Sequence, residues 1–329
     1  MEVSVEIGKM TRAVIGFVVG ALLAIDAGPG WAAPIKVRFA VPLPTIGTLP
    51  LWIARERGFF AKEGLEVEVI AVAGGLDITS LVSGSVEFAD SVPANAIVAA
   101  HKGTDLKIIA GTLNAITYSV MGRRGMAGLK DLKEKKIGVG GIFSGSTLVL
   151  HEMLATQGLS YPGDYTLIRV GGASDRLAAL VAGQVDAATL PIPFSVIAAD
   201  HGAVRLADAA DYVRHYQNTA LITRTKWAQE NGDATVRVLR GMLSAIRWIY
   251  GNRDEFIGYA SKKLKMKSEY AAAGWDTYAG KKIWSYDGSP TREGMETVIR
   301  HQVRLGLLPE GIKAEKYIDL SYLQRTRKE

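Results

Sequence analysis

Residues 81–103, LVSGSVEFADSVPANAIVAAHKG, align without a gap on residues 180–202, LVAGQVDAATLPIPFSVIAADHG, at an offset of 99 positions. Leu81/Leu180, Val82/Val181, Gly84/Gly183, Val86/Val185, Ala89/Ala188, Ala99/Ala198, Ala100/Ala199 and Gly103/Gly202 are identical, and Glu87 faces Asp186. Each copy reads as a helix end, a glycine turn, a short strand and a second helix stopped by glycine. The period is far too long for a solenoid. Two similar α/β lobes are expected instead.

Outward from the repeat, the element order recurs as well. Residues 37–41 alternate as a strand, and 42–50, with three prolines and Gly47, form a loop. Residues 51–63 have helical periodicity up to Gly64, 66–72 are strand-like, Gly74-Gly75 turn, and Asp77 caps a short helix. After the first repeat strand come a helix over 94–100 and a strand over 106–110. The second series has a strand at 136–139, a helix at 146–157, a strand at 165–170, and a Gly171-Gly172 turn with Asp175 as cap. Alternating strands and helices predict parallel sheets covered on both faces. Residues 117–122 and 218–224 read as two extended crossings, and a double connection permits hinge closure around a ligand. From Asp233 the pattern is helical, with Val236, Leu239, Leu243, Ile246 and Tyr250 on one stripe. Two further amphipathic segments, 270–283 and 291–305, are expected to pack on the first lobe and complete it. The expected division is 1–32 as an export signal, 33–122 with 219–329 as a discontinuous lobe one, and 123–218 as lobe two.

The export signal rests on Lys9 and Arg12, the apolar run 13–25, and the small residues Gly30 and Ala32 as a cleavage site. A start at Met10 would give a more ordinary basic region than Met1, because Glu2 and Glu6 lie upstream. The run is too short to span a bilayer comfortably. The chain of 329 residues has no cysteine. Disulfides, thiolate metal sites and cysteine nucleophiles are therefore excluded. Its net charge of +6 is dispersed, and the denser groups at 133–136 and 262–267 lack the interleaved aromatics of a nucleic-acid surface.

Residues 139–147, Val-Gly-Gly-Ile-Phe-Ser-Gly-Ser-Thr, read as a strand end, a glycine-rich loop and a helix start. The unpaired N–H groups there can hold a small anion or carboxylate without a charged side chain.

Several motifs carry a family likeness: Pro50-Leu-Trp-Ile-Ala-Arg-Glu-Arg-Gly-Phe-Phe-Ala-Lys-Glu-Gly-Leu65, Gly74-Gly-Leu-Asp77, Gly84-Ser-Val-Glu-Phe-Ala89, Leu129-Lys-Asp-Leu132, the 140–147 loop and Gly183-Gln-Val-Asp-Ala187. Together they resemble the periplasmic substrate-binding proteins of ABC importers, in the nitrate/sulfonate/taurine class. The likeness runs from about residue 36 to 320. It implies the type II periplasmic binding protein fold and a periplasmic monomer. It also implies one small ligand held without a cofactor or metal, and delivery to an ABC permease and its ATPase. Carried onto this sequence, it places ligand contacts at Thr45, Gly47, Thr48, Gly75, Ser91, Asn95 and Tyr118. In lobe two it places them at Ser144, Gly145, Ser146, Thr147, Ser174 and Thr189, with Pro191 and Pro193 shaping the wall. These groups suit an oxyanion or a carboxylate, whereas Trp52, Tyr118, Phe143, Phe194 and Trp275 would suit a heterocycle. The same family contains thiamine-pyrimidine synthases, which consume one of their own histidines and carry a cysteine-rich signature that this chain lacks. An enzyme on that scaffold, or a periplasmic sensor subunit, is the alternative expectation.

Catalytic motifs give no support for an enzyme. His151-Glu152 is followed by Ala155 rather than a second histidine, no serine has glycine at both −2 and +2, and neither nucleotide-binding glycine motif is complete.

Overall fold

The computed structural model describes residues 33–41, 44–72, 76–142 and 144–327. The expected export signal, Gly75 and Phe143 lie outside them. Two five-stranded sheets carry the fold. One contains β1 (Ile35–Val41), β2 (Leu65–Ala71), β3 (Phe88–Ser91) and β4 (Lys107–Leu113). The other contains β5 (Tyr118–Gly122), β6 (Lys136–Val139), β7 (Thr166–Arg169), β8 (Ala187–Pro191) and β9 (Val204–Asp208). β10 (Thr219–Thr223) returns to the first sheet. The strand orders are β2-β1-β3-β10-β4 and β7-β6-β8-β5-β9, which match place for place.

The duplicated sequence reappears as duplicated pairing. Phe88 and Ala89 lie opposite Phe39 and Ala40, and their counterparts Ala187 and Ala188 lie opposite Ile137 and Gly138. Gly84 and Gly183 both take φ in the left-handed region, +78° and +72°. Both copies thus need the residue without a Cβ at the turn into the strand.

The sheets are mixed rather than wholly parallel, which corrects the sequence reading. β10 runs antiparallel to β3 and β4, and β5 runs antiparallel to β8 and β9. These are the two strands by which the chain enters one sheet from the other. The carboxyl end of β4 leads to the start of β5, and the carboxyl end of β9 leads back to the start of β10. A chain arriving at the carboxyl edge of a sheet must run away from it, so it pairs against its neighbours. β9, the counterpart of β4, has no clear sequence signal and was not anticipated.

Helices flank both sheets. α1 (Leu49–Glu56) and α2 (Phe59–Lys62) replace the single helix expected over 51–63, because Gly58 at φ +75° ends the first of them. α3 (Leu76–Val82) and α4 (Pro93–His101) follow. The second sheet carries α5 (Gly145–Ala155), α6 (Ala173–Val181), α7 (Phe194–Asp200) and the short α8 (Ala209–Tyr212). The rest of the chain is α9 (Thr225–Glu230), α10 (Gly232–Gly251), α11 (Arg253–Leu264), α12 (Ser268–Gly280), α13 (Arg292–Arg304) and α14 (Ser321–Arg325).

The expected stripe of α10 is buried at Val236, Leu239, Leu243 and Ile246 in one core with Trp52, Phe60 and Trp284. α10 packs on α1 and α2, so the C-terminal helices do complete lobe one. They also reach across. α13 packs on α4 of lobe one and on α5 of lobe two. Glu152 Oε1 on α5 lies 3.0 Å from Nε2 of the buried His301 and also meets Arg304, both on α13.

The close approach of His301 Nε2, and then the charge of Arg304, hold the Glu152 carboxyl below the usual carboxylate range against the opposing effect of burial. A depressed folded-state pKa contributes stability above the ordinary carboxylate range and loses it as pH falls through the folded value. Glu152→Gln is therefore expected to destabilise the protein at pH 7 by about 1–2 kcal/mol. That difference should fade only well below the ordinary carboxylate range; denaturant melts at pH 7 and at about pH 2.5 check it.

Candidate ligand cleft

Both sheets turn their carboxyl edges toward the two crossings, and loops at such edges are where α/β sheets bind ligands. Gln217, fully buried just before the second crossing, holds this junction together. Its Nε2 donates to Leu113 O at 3.1 Å and to Asn114 Oδ1 at 2.9 Å, at the end of β4 where the chain leads into the first crossing. Its Oε1 accepts the Thr291 N–H, just before α13, at 2.9 Å. Sequence reading gave no reason to single this residue out.

On the lobe-one edge, Thr45 and Thr48 close a turn. The Thr45 N–H donates to Thr48 Oγ1 at 2.9 Å, and that hydroxyl donates to Thr45 O at 3.2 Å. The carbonyl of Gly47 accepts Trp284 Nε1 at 3.1 Å. A Cβ on Gly47 would lie 2.9 Å from Leu113 Cδ1 and 3.1 Å from the Tyr278 hydroxyl. That hydroxyl lies 3.1 Å from Thr117 Oγ1, the residue before Tyr118. The first loop, α12 and the first crossing therefore meet here. Ser91 ends β3 buried, with its hydroxyl donating to Asp77 Oδ2. Asn95 is exposed on the first turn of α4.

On the lobe-two edge, Ser144 is the N-cap residue of α5, yet no side chain caps the helix. Instead Ser144 Oγ lies 3.1 Å from Ser146 Oγ and 3.0 Å from Thr147 Oγ1, and Thr147 Oγ1 donates to Gly141 O at 2.6 Å. The first N–H groups of α5 thus lack a side-chain partner, as an anion site requires. A Cβ on Gly145 would collide with the hydroxyl of Tyr216. Tyr118 starts β5 half-buried opposite Pro191. Thr189, one strand in, is buried and its hydroxyl has no hydrogen-bond partner. Ser174 is exposed on the first turn of α6.

Arg176 alters the expected chemistry. The sequence suggests a site of neutral donors, but this arginine is only 7% exposed. Its Nε donates to Thr189 O at 2.8 Å and its Nη1 to Gly171 O at 2.5 Å. A Cβ on Gly140 would lie 2.8 Å from that same Nη1, so the glycine loop before α5 lies directly against the charge. Among the described residues no carboxylate pairs with it. The adjacent Asp175 accepts the Gly172 N–H with its Oδ2. Burial lowers the Arg176 pKa and neighbouring Tyr118 opposes that shift; the group stays cationic. A buried cation without an anion is costly unless something else supplies the charge. Arg176 falls on the buried stripe of α6 with Ala179 and Leu180.

Tyr216 belongs to the same place. It is 2% exposed, its hydroxyl makes no hydrogen bond, and burial raises its pKa. Removing that hydroxyl strands no protein group. Tyr216→Phe is expected to leave the melting temperature unchanged or slightly higher, while weakening solute binding about fivefold, the worth of one hydrogen bond. Calorimetry beside a thermal melt checks both halves.

Trp52 and Trp275 take no part in an aromatic wall. Both pack in the lobe-one core, Trp52 beneath Lys263 at 4.3 Å and Trp275 donating to Ile249 O at 2.9 Å. Phe194 packs in a separate cluster of lobe two. No cluster of three or more metal-ligating side chains occurs among the described residues, and no helix there is long and apolar enough to cross a membrane.

Two matched mixed sheets, two crossings and helices completing one lobe define the periplasmic binding protein fold. The nitrate-binding protein of Synechocystis matches it with a TM-score of 0.75 at 17% identity, over 89% of this chain and 88% of that one. The aliphatic sulphonate-binding protein of Escherichia coli matches with a TM-score of 0.69 at 18% identity, over 88% of this chain and 99% of that one. The chain belongs to the NMT1/THI5-like family, whose model matches residues 46–256. The 4-amino-5-hydroxymethyl-2-methylpyrimidine phosphate synthase of Schizosaccharomyces pombe is 30% identical over 42% of this chain; the match spans 39% of that enzyme. The formylaminopyrimidine-binding protein of Halalkalibacterium halodurans is 25% identical over 62% of this chain and 63% of its own length.

Proposed function

We propose that this chain is the exported solute-binding subunit of an ABC importer and not an enzyme. Lobe one (33–122 with 219–329) and lobe two (123–218) close on one small solute with an anionic group and present it to a permease. The observation that carries this reading is Arg176, a buried cation with no carboxylate partner, beside the uncapped start of α5. A carboxylate, sulfonate or similar oxyanion seated there would pair the guanidinium and accept from the helix N–H groups together. Ser144, Gly145, Ser146, Thr147, Thr189 and Tyr118 would surround it, with Thr45, Gly47, Thr48 and Ser91 closing from the other side. Family membership and the nitrate- and sulfonate-binding neighbours support a transport role.

The synthase relative favours a second reading, an enzyme acting on a pyrimidine precursor, against which stands the absence of cysteine. Titration calorimetry of residues 33–329 against nitrate, sulfonates, carboxylates and aminopyrimidines tests the proposal. Saturable 1:1 binding with no turnover is expected; product formation without a stable complex would overturn it.

A further inference from the structure

The lobe-one edge carries charge of the opposite sign. Asp77, in the first turn of α3, is 6% exposed, and its Oδ2 accepts from Ser91. Its Oδ1 is buried and has no hydrogen-bond partner. A second carboxyl, Asp90, is 3% exposed beside it, where Thr112 Oγ1 donates to its Oδ1 at 2.6 Å. Thr112 Oγ1 in turn lies 2.6 Å from Thr219 Oγ1, at the start of β10. Asp90 therefore sits where β3, β10 and β4 meet, and Ser91 ties Asp77 to the end of β3. They differ in one respect. Asp90 is satisfied by threonines, whereas Asp77 keeps an acceptor oxygen that meets no donor among the described residues. A buried acceptor left so is unfavourable until a donor reaches it.

The lobe-two edge is the complement. Arg176 lacks an anion there, and the hydroxyls of Thr189 and Tyr216 are buried and unpartnered. A bare inorganic anion satisfies only that half and leaves Asp77 Oδ1 without a donor.

We infer that the solute is bipolar, with its anionic group on Arg176 and the start of α5 and an N–H donor (an amine, amide or amino-heterocycle nitrogen) on the free Oδ1 of Asp77. This rests on the solute-binding reading above. Asp77 is thus a specificity residue: it selects among anions by demanding a nitrogen donor at the far end.

Matched pairs test it on the wild-type protein without any variant. Taurine is set against ethanesulfonate, β-alanine against propionate, and 4-aminobenzoate against benzoate, with nitrate alone as the bare anion. At least one amine-bearing member is expected to bind ten times or more tighter than its amine-free partner, and nitrate is expected not to bind measurably. Asp77→Asn, which keeps the shape and the Ser91 contact, should erase that preference. It should lower affinity for the amine-bearing probe about tenfold and leave the amine-free one within threefold. The variant's melting temperature is measured alongside. Equal affinity within every pair, tight nitrate binding, or a preference unchanged in Asp77→Asn would overturn the inference and leave the solute-binding reading standing. Failure of all seven probes, together with no stabilisation by a broad metabolite library, would instead overturn the solute-binding reading on which the inference rests.

Discussion

Arg176→Met should abolish high-affinity binding of the anionic solute while leaving a folded protein. Methionine keeps most of the side-chain volume and removes the charge. Truncating one partner of a buried, hydrogen-bonded charge pair costs about 2–5 kcal/mol of binding, tens- to thousands-fold in Kd. The stability change should be small, because two effects oppose each other. Losing the guanidinium strands the carbonyls of Thr189 and Gly171. It also removes a cation that folding takes out of water with no counter-charge. Arg176→Lys separates charge from geometry: an ammonium retains the sign but not the planar fork that joins both carbonyls. Intermediate affinity is expected. Calorimetry with the tightest-binding probe, beside denaturant melts, reads all three proteins. Undiminished binding by Arg176→Met would move the anionic group elsewhere.

Asp90→Asn should stabilise the protein at neutral and alkaline pH, against the usual expectation for loss of a buried acid. Burial raises the Asp90 carboxyl to about 7, with Thr112 and Thr219 opposing that shift and the charge of Asp77 adding to it. The sign follows from proton counting. Between the unfolded carboxylate value near 4 and the folded value, the native state holds a proton that the unfolded chain has lost. Stability therefore falls as pH rises through that window, and the penalty is complete above the folded pKa. A shift of some three units corresponds to about 4 kcal/mol at 1.36 kcal/mol per unit. Asparagine presents the neutral shape at every pH, so the variant should gain up to that amount at pH 8 and little at pH 4. Melts across that range check it; a variant less stable than wild type at pH 8 would mean that Asp90 is held ionised.

The architecture was readable from sequence because the repeat of 81–103 at 180–202 wrote it twice. Ala89 and Ala188 occupy one place in two sheets, and Gly84 and Gly183 turn the chain alike before it. β9 was not readable: its five half-buried or exposed residues give no alternation to detect. The antiparallel direction of β5 and β10 follows from where the crossings enter, which no local pattern encodes. In the site, the start of α5 was legible from glycine and hydroxyl residues. The charges were not. Asp77 read as a cap and Arg176 was not among the expected contacts, and only the fold brings each to an edge where it is buried. The adjacent pair Tyr216 and Gln217 lies far in sequence from Tyr278, and their meeting at the crossings is purely tertiary.

The central claim is that two lobes hold one solute and release it chemically unaltered. Native mass spectrometry of residues 33–329 with the tightest-binding probe tests it most directly. The account predicts a complex heavier than the free chain by one solute mass, and on denaturation a solute and a polypeptide each of unchanged mass. A solute recovered as a different compound, or a chain returned with altered mass at one of its own residues, would contradict it.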